Sequence, residues 1–99
     1  MIEARWWLVC YDVHDPKRLR RAAAVMEGSG QRMQYSVFRC WMTPAQMQEL
    51  RWELTRSLDP EDEVLIIPLC ARCVAGIQTT FSASKGPDWP GQPDPFRIA

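Results

Sequence analysis

The sequence lacks net charge, a long hydrophobic run and room for a second domain. Its twelve Lys and Arg residues balance twelve Asp and Glu residues, which argues against binding polyanions by bulk charge alone. No stretch approaches the roughly 18 apolar residues of a membrane span. The run from Trp6 to Tyr11 is too short for a secretory signal and is followed by a charge, so we expect a cytoplasmic protein with no membrane contact. With 99 residues, the chain can build only one core.

Cysteine and histidine, the usual ligands of structural zinc, are few and poorly spaced. The chain has one histidine and four cysteines, and without a signal peptide we expect the cysteines to be thiols. Cys10 and Cys40 lie in strand-like runs and are expected in the core. Cys70 and Cys73 form a lone Cys-x-x-Cys pair, whereas a structural zinc site needs four ligands. This favours incidental thiols over a redox or metal role, although a dimer could pool two pairs.

The first half of the chain reads as strand, helix and hairpin. The apolar run from Arg5 to Asp12 is typical of a central strand. Asp15-Pro16 pairs an N-cap residue with a proline at the first helical position, and predicts a helix from Lys17 to Glu27. The segment from Arg32 to Met42 is rich in β-forming residues but long for one strand, so we expect a tight turn near Tyr35-Ser36.

The second half adds a helix and a strand. Thr43-Pro44-Ala45-Gln46 is a capping box, and predicts a helix that runs to about Leu58. The apolar segment from Val64 to Leu69 predicts a strand. The order of elements indicates an α+β protein with a ferredoxin-like βαββαβ fold, in which two helices cover one face of an antiparallel sheet.

The end of the chain has a different composition. We expect a short helical turn from Cys70 to Gly76 and a possible extra strand from Ile77 to Phe81. Four prolines follow Ser82 and make a regular element improbable there. The sequence therefore predicts a ferredoxin-like domain over residues 1–83 and a proline-rich C-terminal tail over residues 84–99.

Asp12 is the sharpest candidate for chemistry, because the end of a buried strand places its carboxylate at the edge of the sheet. From position alone, a structural role capping the loop is favoured. His14 follows closely, but a single histidine with no partner is weak evidence for a catalytic base.

A basic set follows Asp12 and is a candidate face for binding phosphates. Ten of the twelve cations are arginine, which can fork onto two phosphate oxygens. Residues 1–40 carry seven basic and four acidic side chains, and residues 41–99 carry five and eight. A solvated helix surface is the alternative for such a set, and Tyr11 and Phe38 could stack on bases or belong to the core. The set consists of Lys17, Arg18, Arg20, Arg21 and Arg32.

Three segments together resemble a known family, the small CRISPR-associated Cas2 endonucleases of the spacer-acquisition machinery. They are Tyr11-Asp12-Val13, Asp15-Pro16-Lys17-Arg18-Leu19-Arg20-Arg21 and Gly30-Gln31-Arg32-Met33-Gln34-Tyr35-Ser36-Val37-Phe38. The segment Pro68-Leu69-Cys70-Ala71-Arg72-Cys73 also resembles a variant of this family. The resemblance covers roughly residues 5–77, and the strand-end Tyr-Asp with the Arg-x-Gln-x-Ser-Val-Phe stretch is its specific part.

The resemblance implies a homodimer in which Asp12 faces its symmetry mate and binds a divalent metal, Mg²⁺ or Mn²⁺. It implies metal-dependent endonuclease activity on RNA or DNA, with Asp12, Tyr11, Arg32 and Phe38 at the catalytic site. It also implies a role in CRISPR adaptation, as a dimer that bridges DNA and docks on the integrase partner protein. A ferredoxin-like module that binds a small ligand, or only itself, is the alternative, because this fold hosts many functions.

Overall fold

The computed structural model describes residues 3–77, which form one sheet and three helices. The elements in chain order are β1 (Arg5–Asp12), α1 (Pro16–Glu27), β2 (Gln31–Gln34), β3 (Val37–Met42), α2 (Pro44–Arg56), β4 (Glu63–Leu69) and α3 (Ala71–Ala75). The predicted first strand is confirmed residue for residue, and the predicted break at Tyr35-Ser36 separates β2 from β3. Helix α2 ends at Arg56, two residues before the predicted end.

The four strands lie in the order β2-β3-β1-β4, and all neighbouring pairs are antiparallel. Strand β1 is central: Trp6 pairs with Trp41 of β3, and Asp12 pairs with Glu63 of β4. This order, with a helix between β1 and β2 and another between β3 and β4, is the predicted ferredoxin-like arrangement. This strand order places the C-terminal end of β1 between β3 and β4.

The two long helices begin at the residues that the capping signals predicted. The Asp15 carboxylate accepts a hydrogen bond from the backbone N–H of Arg18 at 3.0 Å, and Pro16 opens α1. Thr43 and Gln46 form a reciprocal capping box at the start of α2. Such caps satisfy N–H groups that have no partner inside the helix. Local sequence therefore fixes where each helix leaves the sheet.

One face of the sheet carries the core. Val9 and Phe38 on the strands pack with Met26 of α1 and Leu54 of α2, and all four side chains are fully buried. Because side chains alternate along a strand, the residues next to Val9 in β1 and next to Phe38 in β3 point to the opposite face of the sheet. The shared core places α1 and α2 on the same side, as predicted.

Within residues 3–77, the opposite face, called here the open face, is covered at one end only. Trp6 and Trp41 meet edge to face there, with ring centroids 5.2 Å apart, and the Arg39 guanidinium lies 4.9 Å from the Trp6 ring centroid. Further along β4, Leu65 and Ile67 are 60% and 37% exposed. Beyond the covered end, the open face therefore presents an exposed apolar patch formed by Leu65 and Ile67.

Several sequence expectations fall at the margins of this structure. The expected helical turn is present as α3, and Ile77 belongs to no strand. The rest of the possible extra strand, residues 78–81, and the predicted tail lie outside the described residues. Trp52 on α2 is 63% exposed and is not part of the core. Within residues 3–77, none of the helices is long and apolar enough to cross a membrane.

Candidate nucleic-acid and metal site

The site is built around Asp12, the last residue of β1. Asp12 has the same strand parity as Leu8 and Cys10, so its side chain belongs to the open face. Its carboxylate is 69% exposed, and its Oδ2 lies 3.6 Å from Nε2 of His14, which is equally exposed. The Asp12 and His14 side chains, which the sequence analysis considered separately, therefore lie next to each other at a position that solvent and a ligand can reach.

Glu63 is a neighbour of Asp12 that sequence reasoning missed. The two residues are directly opposite in the antiparallel ladder between β1 and β4. A groove of ≈ 630 Å³ runs past them and is also lined by Asp62 and Leu65. The acidic run Asp59-Pro60-Glu61-Asp62-Glu63 leads into β4, and the pairing of Glu63 with Asp12 depends on a strand contact across about half the chain, which no local pattern reveals.

Arg18, predicted to bind nucleic acid, is instead held by the acidic turn between α2 and β4. Its Nε lies 2.8 Å from Oδ2 of Asp62, and its terminal nitrogens lie 3.0 Å from Asp59 and 3.5 Å from Glu61. The hydrogen bond to Asp62 raises the pKa of Arg18 and lowers that of Asp62. Because three carboxylates surround the Arg18 guanidinium, little of its positive charge remains to attract a phosphate. This geometry favours a structural role for Arg18.

Tyr11 and Phe38, predicted at the catalytic site, lie beneath the surface. Their exposed fractions are 5% and 0%, and their rings stack with centroids 6.1 Å apart. Desolvation raises the pKa of the Tyr11 phenol. Neither ring is placed to stack on a base. Both residues belong to the core, which was one of the two interpretations that the sequence allowed. Their contribution to the site is support.

Arg32 connects this aromatic pair to the surface. Its guanidinium lies 4.8 Å from the centroid of the Phe38 ring and donates to Glu27 at 3.0 Å and to the carbonyl oxygen of Tyr35. Tyr35 is in the β2–β3 turn, and the adjacent Ser36 carbonyl accepts from the backbone N–H of Tyr11. The turn that Arg32 braces is therefore beside the end of β1 that carries Asp12.

The remaining predicted cations form an exposed strip on α1. Lys17, Arg20 and Arg21 are three and four residues apart, which places them on one face of the helix. All three are exposed, and within residues 3–77 none has an ion pair with a carboxylate. This strip, unlike Arg18, can meet a phosphate backbone.

The metal expected at Asp12 can be tested against the side chains present. The described residues contain no group of three or more His, Cys, Asp or Glu that could hold an ion. Mg²⁺ typically takes one or two carboxylates and completes its shell with water and substrate phosphate. The exposed Asp12 carboxylate has no arginine partner among the described residues and fits that requirement as one part of a shared site, whereas a single protomer does not supply a whole one.

The fold and site define a small ferredoxin-like α+β protein with an exposed strand-end aspartate beside an arginine-rich helix. The family model described as CRISPR associated protein Cas2 matches residues 5–77. The chain belongs to the CRISPR-associated Cas2 family.

Individual relatives agree with this assignment. A protein of Thermodesulfovibrio yellowstonii named CRISPR-associated endoribonuclease Cas2 2 is 41% identical over 64 residues, which cover 64% of this chain and 70% of the relative. One of the same name from Synechocystis sp. is 43% identical over 67 residues, or 65% and 71% of the two chains. The crystal structure of Streptococcus pyogenes Cas2 at pH 6.5 superposes with a TM-score of 0.68 at 34% identity, covering 76% of this chain and 98% of that one.

Proposed function

We propose that this chain acts in CRISPR adaptation as a homodimer that binds nucleic acid and hydrolyses phosphodiester bonds at Asp12. The observation that carries the proposal is the exposed Asp12 carboxylate, which ends the central strand and has an imidazole 3.6 Å away. The relatives named as endoribonucleases support RNA as a substrate. The cleavage assay therefore uses both RNA and DNA.

The open face supports the dimer. Leu65 and Ile67 expose apolar surface there, and Asp12 lies on the same face. Burying apolar surface against a second copy is favourable, and a two-fold interface presents the same patch from each subunit. A copy packed on this patch would bring a second Asp12 towards the first, which would supply the carboxylate that one protomer lacks.

Each residue then has a defined part in hydrolysis. The two Asp12 carboxylates would hold Mg²⁺ or Mn²⁺, which when bound promotes ionisation of water and offsets phosphate charge. His14, whose Nε2 lies 3.6 Å from Asp12, would accept the proton that the attacking water loses. Arg32 and Lys17 would attract the phosphate backbone, while the buried ring of Phe38 holds the Arg32 guanidinium in place.

Replacement of Asp12 by Asn tests the nuclease. We expect Asp12→Asn to lose at least 100-fold in the rate of Mg²⁺-dependent cleavage of single-stranded RNA and duplex DNA, because a neutral amide is a poor ligand for Mg²⁺. The fold should persist, since the side chain is 69% exposed. Glu53→Gln, an exposed acid on α2, is the matched control and should cleave normally. Equal rates for Asp12→Asn and its parent would refute the assignment.

DNA bridging is a second role, supported by the exposed strip of Lys17, Arg20 and Arg21. A duplex lying along two such strips in a dimer could be presented to the integrase protein that we propose as partner. Because phosphate contacts release counterions, their number sets the salt dependence of binding.

The double variant Arg20→Ala with Arg21→Ala tests this role. We expect weaker duplex binding and a slope of log affinity against log salt that is shallower by about 2 for each strip engaged. Arg51→Ala with Arg56→Ala removes the same charge from α2 and is the control. Fluorescence anisotropy between 50 and 300 mM salt measures both, and matching slopes for the two double variants would remove the strip from the interface.

A further inference from the structure

Two of the four cysteines lie together on the surface. Cys70 and Cys73 are both exposed, and their Sγ atoms are 3.3 Å apart. A disulfide bond is about 2.0 Å long, so the sulfur atoms need to approach by only about 1 Å to bond. The sequence favoured incidental thiols here, but the geometry places the pair ready for reaction with each other.

The surroundings of Cys70 favour its thiolate. The backbone N–H of Cys73 donates to Cys70 Sγ at 3.4 Å, and this contact, followed by the hydrogen bond with the Cys73 thiol, lowers the pKa of Cys70. The other two cysteines show the opposite: burial raises the pKa of Cys10 and raises that of Cys40 to about 11. The thiolate is the reactive form of cysteine, so Cys70, in the exposed pair, is favoured as the nucleophile over the more buried Cys10 and Cys40.

We propose that Cys70 and Cys73 form a reversible dithiol–disulfide couple that exchanges with low-molecular-weight disulfides of the glutathione type. The Cys70 thiolate attacks one sulfur of the small disulfide, forming a mixed disulfide and releasing one thiolate. Cys73 then loses its proton to solvent and attacks Cys70 Sγ, forming the protein disulfide and releasing the second thiolate. Two electrons pass from the protein to the small disulfide, which leaves as two thiols.

The couple lies where it can affect neighbouring structure. Cys70 is the N-cap residue of α3, and Val74 of the same helix is buried. A pocket of ≈ 250 Å³ lined by Cys70, Val74, Trp6 and Trp41 separates α3 from the tryptophan pair. Disulfide formation would replace the Cys73 N–H···Sγ contact at the first turn of α3, which lies beside the covered end of the open face.

The test uses the full chain in buffers of increasing oxidised to reduced glutathione ratio. Samples are quenched with acid, alkylated under denaturing conditions and mapped by peptide mass spectrometry. We expect a Cys70–Cys73 disulfide that forms and disappears reversibly, while Cys10 and Cys40 stay alkylated at every ratio. The number of free thiols should fall from four to two.

Single serine variants assign the order of attack. Cys73→Ser should accumulate a stable mixed disulfide of glutathione on Cys70, because the resolving thiol is missing. Cys70→Ser should form one on Cys73 at least tenfold more slowly. Cys10→Ser is the control and should leave the transition unchanged.

Three outcomes would overturn the proposal, and each is visible in the parent protein, so folding of the variants does not decide it. They are the absence of a Cys70–Cys73 disulfide at any ratio, pairing between chains instead of within one, and purification of the protein with stoichiometric zinc bound at the pair. Elemental analysis of the purified protein distinguishes the last.

Discussion

Asp62 ties the candidate site to the rest of the domain. Its carboxylate has no exposed surface, accepts from Nε of Arg18 at 2.8 Å, and accepts from the backbone N–H of Asp59 at 2.9 Å. The backbone N–H of His14 also contributes to its lowered pKa. One side chain thus joins the loop after β1, the first turn of α1 and the turn before β4. The loop that carries His14 is thus held by a carboxylate that is far from it in sequence.

The lowered pKa of Asp62 predicts acid sensitivity. A carboxyl group whose folded pKa lies below its unfolded value of about 3.9 stabilises the fold fully above that value, and the contribution is lost as pH falls through the folded pKa. We expect Asp62→Asn to have a lower melting temperature than the parent at pH 7. The difference should shrink below about pH 4. Thermal unfolding followed by circular dichroism between pH 3 and 7 measures it.

Glu61→Gln is the control for this prediction. Glu61 lies 3.5 Å from the same arginine, but its side chain is 69% exposed, and exposed ion pairs contribute little to stability. Its melting temperature should follow that of the parent at every pH. A constant gap between Asp62→Asn and the parent down to pH 3 would contradict the assigned titration.

The entry into the β2–β3 hairpin depends on close backbone approach. Gly30 directly precedes β2, and a Cβ atom there would overlap the carbonyl oxygen of Arg39 and lie 2.6 Å from Cys40 Sγ. Both neighbours are fixed: Arg39 is in the ladder with β2, and Cys40 is in the core. Glycine is therefore required at this position for space and not for an unusual backbone angle.

Gly30→Ala should destabilise the domain. We expect a loss of about 1–3 kcal/mol in the free energy of unfolding, the usual range for overpacking, as measured by urea denaturation. Gly28→Ala is the matched control, because its Cβ would meet nothing nearer than 3.7 Å. It should be neutral or slightly stabilising. Equal losses in the two variants would indicate a helix-end effect instead of a packing clash.

Local signals predicted the elements well, and long-range contacts explain what they missed. The Asp15-Pro16 start, the Thr43 capping box and the Tyr35-Ser36 turn depend on neighbours within a few residues, and the structure confirms them. Arg18 appeared to be a free cation because its partner Asp62 is 44 residues away. Glu63 was missed as the neighbour of Asp12 for the same reason. The Cys70–Cys73 spacing was noted, but the exposure and contact of the two sulfur atoms needed coordinates.

At the scale of the molecule, the two faces of the sheet have different roles. The helix-covered face holds the core, with Val9 and Phe38 fully buried. The open face presents Leu65 and Ile67, followed by Asp12 at its edge. An apolar patch of this kind in a chain with no net charge is typical of a self-association surface. The site and the proposed interface are therefore one continuous surface.

Leu65→Arg should weaken the proposed dimer. A charge at the centre of the patch would be desolvated against its symmetry mate, and we expect at least a tenfold rise in the dissociation constant of the dimer. The fold should remain, since Leu65 is 60% exposed. Sedimentation velocity over a concentration series measures the equilibrium. Trp52→Arg, an exposed apolar residue on α2, is the control and should stay dimeric, and a monomeric parent protein would contradict the interface.

The alternation of side chains along β1 has a consequence for how this family can vary. Leu8, Cys10 and Asp12 share one face only because each is two residues from the next. Insertion or deletion of one residue between them would rotate the aspartate into the hydrophobic layer beneath the helices. Natural insertions and deletions within β1 should therefore come in pairs of residues. Insertions and deletions of a single residue should be confined to the segment before Arg5.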